Sequence, residues 1–128
     1  MDQISNMIIQ LKNAGFAGHD KVDIPYSRLK HSIIEVLKKE GFVRDVVMGI
    51  KGGKKVLNVD LFMDNRVPKI KGVQRLSKSS RRVYKKSSDI RAVKSGYGAI
   101  ILSTSKGVMS GREAKNSALG GEALFSIW

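Results

Sequence analysis

The sequence predicts an α/β N-terminal domain, ordered helix-strand-helix-strand-strand, packed against a mainly β C-terminal domain with a short helix. Three observations predict it. Apolar residues recur at helical spacing twice before Gly41. Two apolar runs then flank the turn signal Lys51-Gly52-Gly53-Lys54. Beyond residue 66, short runs of Val, Ile and Leu alternate with serines, glycines and charges, with one helix-capping signature among them. The domains are accordingly placed at residues 1–65 and 66–128.

The elements follow in order. Ile4, Met7, Ile8 and Leu11 form the stripe of a first helix, with Asp2 or Ser5 able to cap it and Gly15 able to stop it. Val22, Ile24 and Pro25 make a short extended segment. Ser27 caps a second helix with the stripe Leu29, Ile33, Val36 and Leu37; Lys38 and Lys39 suit its C-terminal dipole, and Gly41 ends it. Residues 42–50 and 56–62 read as strands, with Leu57, Val59 and Leu61 on one face. In the second domain, short strands around 72–76 and 82–86 are joined by the polar stretch 77–80. Ser87-Ser88-Asp89 can cap a helical turn through Ile90 and Val93. Residues 97–103, starting at Tyr97, read as a central strand. Ser110 and Glu113 form a capping box for a helix holding Ala114, Ala118 and Leu119, ended by Gly120-Gly121, and 123–128 is a terminal strand.

Charge narrows the function. Twenty-four Lys and Arg face eleven Asp and Glu, a formal net charge of +13. Residues 1–65 carry ten basic and eight acidic side chains (+2), residues 66–94 eleven and one (+10), and residues 95–128 three and two (+1). A nearly unopposed local block points to a polyanion. Cysteine is absent, which removes disulfides, Cys-ligated metal sites and Cys nucleophiles. The opening residues lack a basic and apolar leader pattern, and runs such as Ala99-Ile100-Ile101-Leu102 are too short to cross a bilayer, so no membrane partner is expected.

Within the block, Arg75, Lys78, Arg81, Arg82, Lys85 and Lys86 can bind phosphates, and Ser77, Ser79 and Ser80 add hydroxyls. Tyr84 can stack on a base or pack structurally. Ser103-Thr104-Ser105-Lys106-Gly107, between a strand and a helix, offers hydroxyls and a lysine to bases, phosphates or riboses; equally, it is a turn whose hydroxyls satisfy its own backbone. Gly120-Gly121-Glu122 is either a close-approach corner or a helix end. Enzymatic readings are thinner. Ser103 and Lys106 match a serine-x-x-lysine spacing without its companion element, no phosphate-binding G-x-x-x-x-G-K-[ST] loop occurs, and His19 and His31 lack an evident acidic or serine partner. No catalytic residue, metal or cofactor is therefore assigned. A sequence-tolerant nucleic-acid-binding regulator, including a DNA binder, and an acyl-transfer or hydrolytic enzyme using Ser103 and Lys106 stay as alternatives.

The stretch Gly98-Ala99-Ile100-Ile101-Leu102-Ser103-Thr104-Ser105-Lys106-Gly107-Val108-Met109, with Arg112, Ala114, Leu119 and Gly120-Gly121-Glu122, closely resembles the bacterial-type ribosomal protein S8 family of the small subunit. The resemblance extends through the opening helix, residues 25–30, Leu37-Lys38-Lys39-Glu40-Gly41-Phe42, Arg75-Leu76-Ser77 and Arg82-Val83-Tyr84-Lys85. The terminal Trp128 departs from a family that often ends without tryptophan. The resemblance implies binding to the central domain of 16S-type ribosomal RNA, support of platform assembly, other small-subunit proteins as neighbours, and a place in the ribosome of the cytoplasm or an organelle. Family members can also repress their own operon by binding its messenger RNA. It implies RNA contacts at Ser103, Thr104, Ser105, Lys106, Gly121 and Glu122, near Tyr84 and Lys85, and at Lys30. With Gly107 and the block residues Arg75, Arg82 and Lys86, these make up the expected site.

Overall fold

A computed structural model of the chain describes residues 3–93 and 98–128. Asp2, a proposed cap, and Tyr97, the proposed strand start, lie outside the described residues. The chain divides into two units, Gln3–Lys71 and Gly72–Trp128.

The first unit holds α1 (Gln3–Phe16), β1 (Lys21–Pro25), α2 (Arg28–Lys39), β2 (Val43–Lys51), β3 (Lys54–Leu61), β4 (Met63–Asp64) and β5 (Val67–Pro68). Its main sheet is antiparallel in the order β1-β3-β2. Alternation puts Leu57, Val59 and Leu61 of β3 in the core with Val22 and Ile24 of β1, and the helices contribute Ile4, Met7, Ile8, Leu11, Ile33, Ile34, Val36 and Leu37. Ser27 caps α2, its hydroxyl accepting from the Lys30 N–H at 3.1 Å. Gly52 and Gly53, at φ 60° and 78°, form the left-handed pair that a two-residue hairpin loop needs.

Three expectations change here. Gly15 does not stop α1; it is buried inside it, where an added Cβ would stand 2.9 Å from the Pro68 Cβ, and the left-handed residue is Gly18 at φ 83°. Leu29 is 43% exposed, and Ile34 takes the core place that the stripe gave it. The sequence boundary between 65 and 66 falls at the tip of the β4–β5 hairpin, whose loop residues Asn65 and Arg66 have φ 49° and 65°. Because β5 pairs back on β4 and the Lys69 N–H donates to the Phe62 carbonyl at 3.0 Å, the division comes after Lys71.

The second unit holds β6 (Val73–Arg75), β7 (Tyr84–Lys85), a 3₁₀ turn (Ser87–Asp89), β8 (Ala99–Thr104), β9 (Gly107–Ser110), α3 (Gly111–Asn116) and β10 (Gly121–Ile127). Its sheet runs β6-β10-β8-β9, antiparallel throughout, and β7 pairs with β10 as well. β10 therefore has β8 along one edge and shares the other between β6, on Phe125–Ile127, and β7, on Gly121–Glu122. Ile90, Ile100, Leu102, Ala114 and Ala123 form a core cluster beneath it. Trp128 exchanges backbone hydrogen bonds with Gly72, both at 3.0 Å, and its indole fills the space that a Cβ on Gly72 would occupy.

Here too the expectations shift. The sequence places no strand between residue 103 and the helix, yet β9 pairs there with β8. Ser110 then caps α3 by accepting from the Glu113 N–H at 3.3 Å. α3 ends at Asn116, leaving Ala118 and Leu119 beyond it. No side chain caps the 3₁₀ turn, which begins at Ser87 rather than after Asp89.

Candidate nucleic-acid interface

The strand register collects most of the expected site at one end of the second sheet. Glu122 of β10 stands opposite Tyr84 of β7 and Ser103 of β8, and Ser103 stands opposite Val108 of β9. One position along, Gly121 stands opposite Lys85 and Thr104, and Thr104 opposite Gly107. Directly opposed residues project to the same face. Tyr84, Glu122 and Ser103 thus form one row, and Lys85, Gly121, Thr104 and Gly107 the adjoining row on the other face. Gly121 is required where the strands cross: a Cβ there would lie 2.3 Å from the Ser103 carbonyl oxygen. A Cβ on Gly120 would lie 2.5 Å from the Lys85 carbonyl oxygen.

The β8–β9 turn is shaped by Thr104. Its hydroxyl donates to the Gly107 carbonyl at 2.8 Å and accepts from the Lys106 N–H at 3.2 Å. Thr104 thus serves its own turn, while Ser105 and Lys106 are exposed at the tip. Gly107 resumes the strand at φ 110°. Tyr84 is 71% exposed, a large aromatic ring standing in water at the edge of the row.

Glu122 is engaged within the fold. Its carboxylate accepts from the Ser77 hydroxyl and from the Arg82 guanidinium at 3.0 Å, and its side chain is 16% exposed. The Ser77 hydrogen bond, then the Arg82 bond and charge, with Arg75 adding a further charge, hold the Glu122 carboxyl below its usual range against an opposing effect of burial. Ser77 is fully buried and also accepts from the Val83 N–H at 3.1 Å, so it is an internal anchor rather than the surface phosphate donor that its neighbours suggested. Arg75 is half-buried and donates to the Leu124 carbonyl. Lys78 and Arg81 exchange backbone hydrogen bonds at 2.8 and 3.0 Å, closing a tight exposed turn through Ser79 and Ser80. Lys86 is exposed just before the 3₁₀ turn.

Lys30 belongs to the first unit, in the first turn of α2. His31 pairs with Glu35 at 3.3 Å and meets the Tyr26 ring edge-on. Among the described residues, no group of three or more His, Asp or Glu could hold a metal ion, and no helix is long and apolar enough to cross a membrane. The arrangement offers an exposed ring, hydroxyls and lysines on a rigid sheet end, the chemistry of a surface that grips a shaped polyanion. Ser77 is the residue whose role the sequence misassigns, because only the fold shows which serine turns inward.

Comparison with known proteins places the sequence in a family. The sequence model of the family described as Ribosomal protein S8 matches residues 2–128. The chain is 41% identical over 128 residues to the small ribosomal subunit protein uS8 of Citrifermentans bemidjiense, covering 99% of this chain and 97% of that one. It is 42% identical over 128 residues to the uS8 protein of Geobacter metallireducens, with the same coverage. Against uS8 of Bdellovibrio bacteriovorus it is 41% identical over 129 residues, spanning all of both chains.

Proposed function

The chain belongs to the ribosomal protein S8 family and is a small-subunit ribosomal protein, not an enzyme, and we propose that it binds the central domain of 16S-type ribosomal RNA and supports assembly of the subunit platform. One observation carries this reading: the rows Tyr84–Glu122–Ser103 and Lys85–Gly121–Thr104–Gly107 lie next to each other, on the two faces of the sheet end that carries the exposed Ser105-Lys106 tip. Regular A-form RNA hides its base edges in a deep groove, so recognition requires a distorted helix or internal loop whose backbone and bases reach a rigid platform. Tyr84 supplies the stacking face and Ser105 a hydroxyl for a base or ribose. Lys85, Lys86 and Lys106 supply phosphate contacts, and Lys30 makes a further one from the first unit. Docking on this platform would stabilise one junction geometry of the RNA beside neighbouring small-subunit proteins. A messenger RNA from the chain's own operon that presents the same distorted helix would compete for it, giving translational repression.

Binding of a central-domain ribosomal RNA fragment, compared with a mixed-sequence RNA duplex at fixed salt, tests the reading. Ser105→Ala should weaken the fragment by about tenfold, the worth of one hydrogen bond to a charged or well-oriented partner, and the duplex much less. Equal losses on both RNAs would remove Ser105 from recognition. A wild-type protein with no preference for the fragment would favour a sequence-tolerant nucleic-acid binder instead.

A further inference from the structure

A carboxylate at the centre of a polyanion-binding row is an electrostatic oddity. Glu122 stands between Tyr84 and Ser103, and bare it would repel the RNA backbone. It is not bare. The Ser77 hydroxyl holds it from beneath, the Arg82 guanidinium closes on it at 3.0 Å, and Arg75 lies near enough for its charge to act on it. Its 16% exposure against 54% for Arg82 places the acid inside and the arginine over it. The pair is therefore neutral at the row, while Lys78, Arg81 and Lys86 of the same basic block are exposed.

We propose that Glu122 is a specificity-determining residue that acts through Arg82. By engaging the guanidinium it withholds one phosphate-binding cation from the recognition row. A generic RNA gains little there, and tight binding falls to RNA whose shape satisfies Tyr84 and Ser105. The inference rests on the RNA-binding reading above. Its physical basis is that phosphate contacts add affinity for every sequence alike, whereas discrimination is a difference between affinities. An uncommitted arginine here would raise both affinities and shrink their ratio. Glu122 in this role touches Arg82 and Ser77, not the RNA.

The test is a double-mutant cycle on the full chain, using the central-domain fragment and the mixed-sequence duplex between about 50 and 200 mM salt, where one contact changes affinity severalfold. Glu122→Gln keeps the volume and an acceptor for Ser77 and removes the charge. It should raise duplex affinity by about three- to tenfold at the lower salt and steepen the salt slope by about one unit, lowering the fragment-to-duplex ratio. In an Arg82→Ala background, the same substitution should give no gain. Duplex affinity unchanged or lowered by Glu122→Gln in a protein that is fully folded under the binding conditions overturns the proposal. So does a gain that persists without Arg82. If Glu122→Gln does not fold, Glu122→Ala serves as the second variant, with the same expected gain and the same contrary result. Loss of fragment preference in the wild type is read separately, and it overturns the RNA-binding reading itself.

Discussion

Ser77 shows how one hydroxyl ties three segments together. It donates to Glu122, accepts from the Val83 N–H, and is fully buried. Ser77→Ala would leave an amide and a carboxylate short of a partner, so it should destabilise the fold by about 1–3 kcal/mol in urea unfolding. Ser79→Ala, at an exposed turn position, should stay within about 0.5 kcal/mol. In the sequence nothing separates these serines: the partner that buries Ser77 comes 45 residues later. Glu122 adds a pH dependence. Its folded-state pKa is lowered, so its contribution to stability is present above the ordinary glutamate range, about pH 4.3, and is lost as the pH falls through the lowered folded value. Acid unfolding of wild type and Glu122→Gln should therefore converge as the pH drops; a constant gap down to the acid limit would contradict the assignment. Tyr84, standing 71% exposed, should cost RNA binding about 1–3 kcal/mol when changed to Ala, with the thermal midpoint almost unmoved.

The three helices end alike at the level of elements. Gly18, Gly41 and Ala118 each adopt positive φ (83°, 86° and 54°) just after a helix. Each donates to the carbonyl three residues earlier, at 3.1 Å in every case, from Gly18 to Gly15, Gly41 to Lys38 and Ala118 to Lys115. The following N–H of His19, Phe42 or Leu119 reaches back to Ala14, Leu37 or Ala114. This is the Schellman closure, and α3 makes it with a residue that has a Cβ. Ala118→Gly should therefore stabilise the chain by about 0.5–1 kcal/mol in thermal or urea unfolding, since it relieves left-handed strain at an exposed site. The same exception explains what the sequence concealed. Gly41 announces the end of α2, whereas nothing in Ala118 announces the end of α3, and the sequence pattern runs on to Gly120. Likewise, Gly52-Gly53 marks the β2–β3 hairpin, while Asn65-Arg66 makes its turn with an arginine at φ 65° and hides the β4–β5 pair. Elements held by local periodicity and caps were legible. The β7–β10 pairing, which joins segments distant in the chain, was not, and neither was β9, whose tight turn on β8 is closed by the Thr104 hydroxyl.

The whole molecule carries its excess charge unevenly: +10 of the +13 lies in residues 66–94, and the β8–β9 tip comes from the nearly neutral segment 95–128. The block was legible in composition, and the tip in the serine-threonine-serine-lysine-glycine run. Their meeting was not, because it depends on β7 joining β10 beside β8. Affinity and recognition should therefore separate by salt: fragment binding should weaken steeply from about 50 to 200 mM, while the preference over generic duplex persists. The central claim is that this chain recognises the central domain of small-subunit ribosomal RNA through the end of its second sheet. Ultraviolet crosslinking of the native protein in cells, with the bound RNA and the linked peptides both identified, tests it most directly. The account predicts central-domain ribosomal RNA as the dominant RNA, attached within peptides that contain Tyr84 or Ser105. Another dominant RNA, or crosslinks that avoid both peptides, would contradict it.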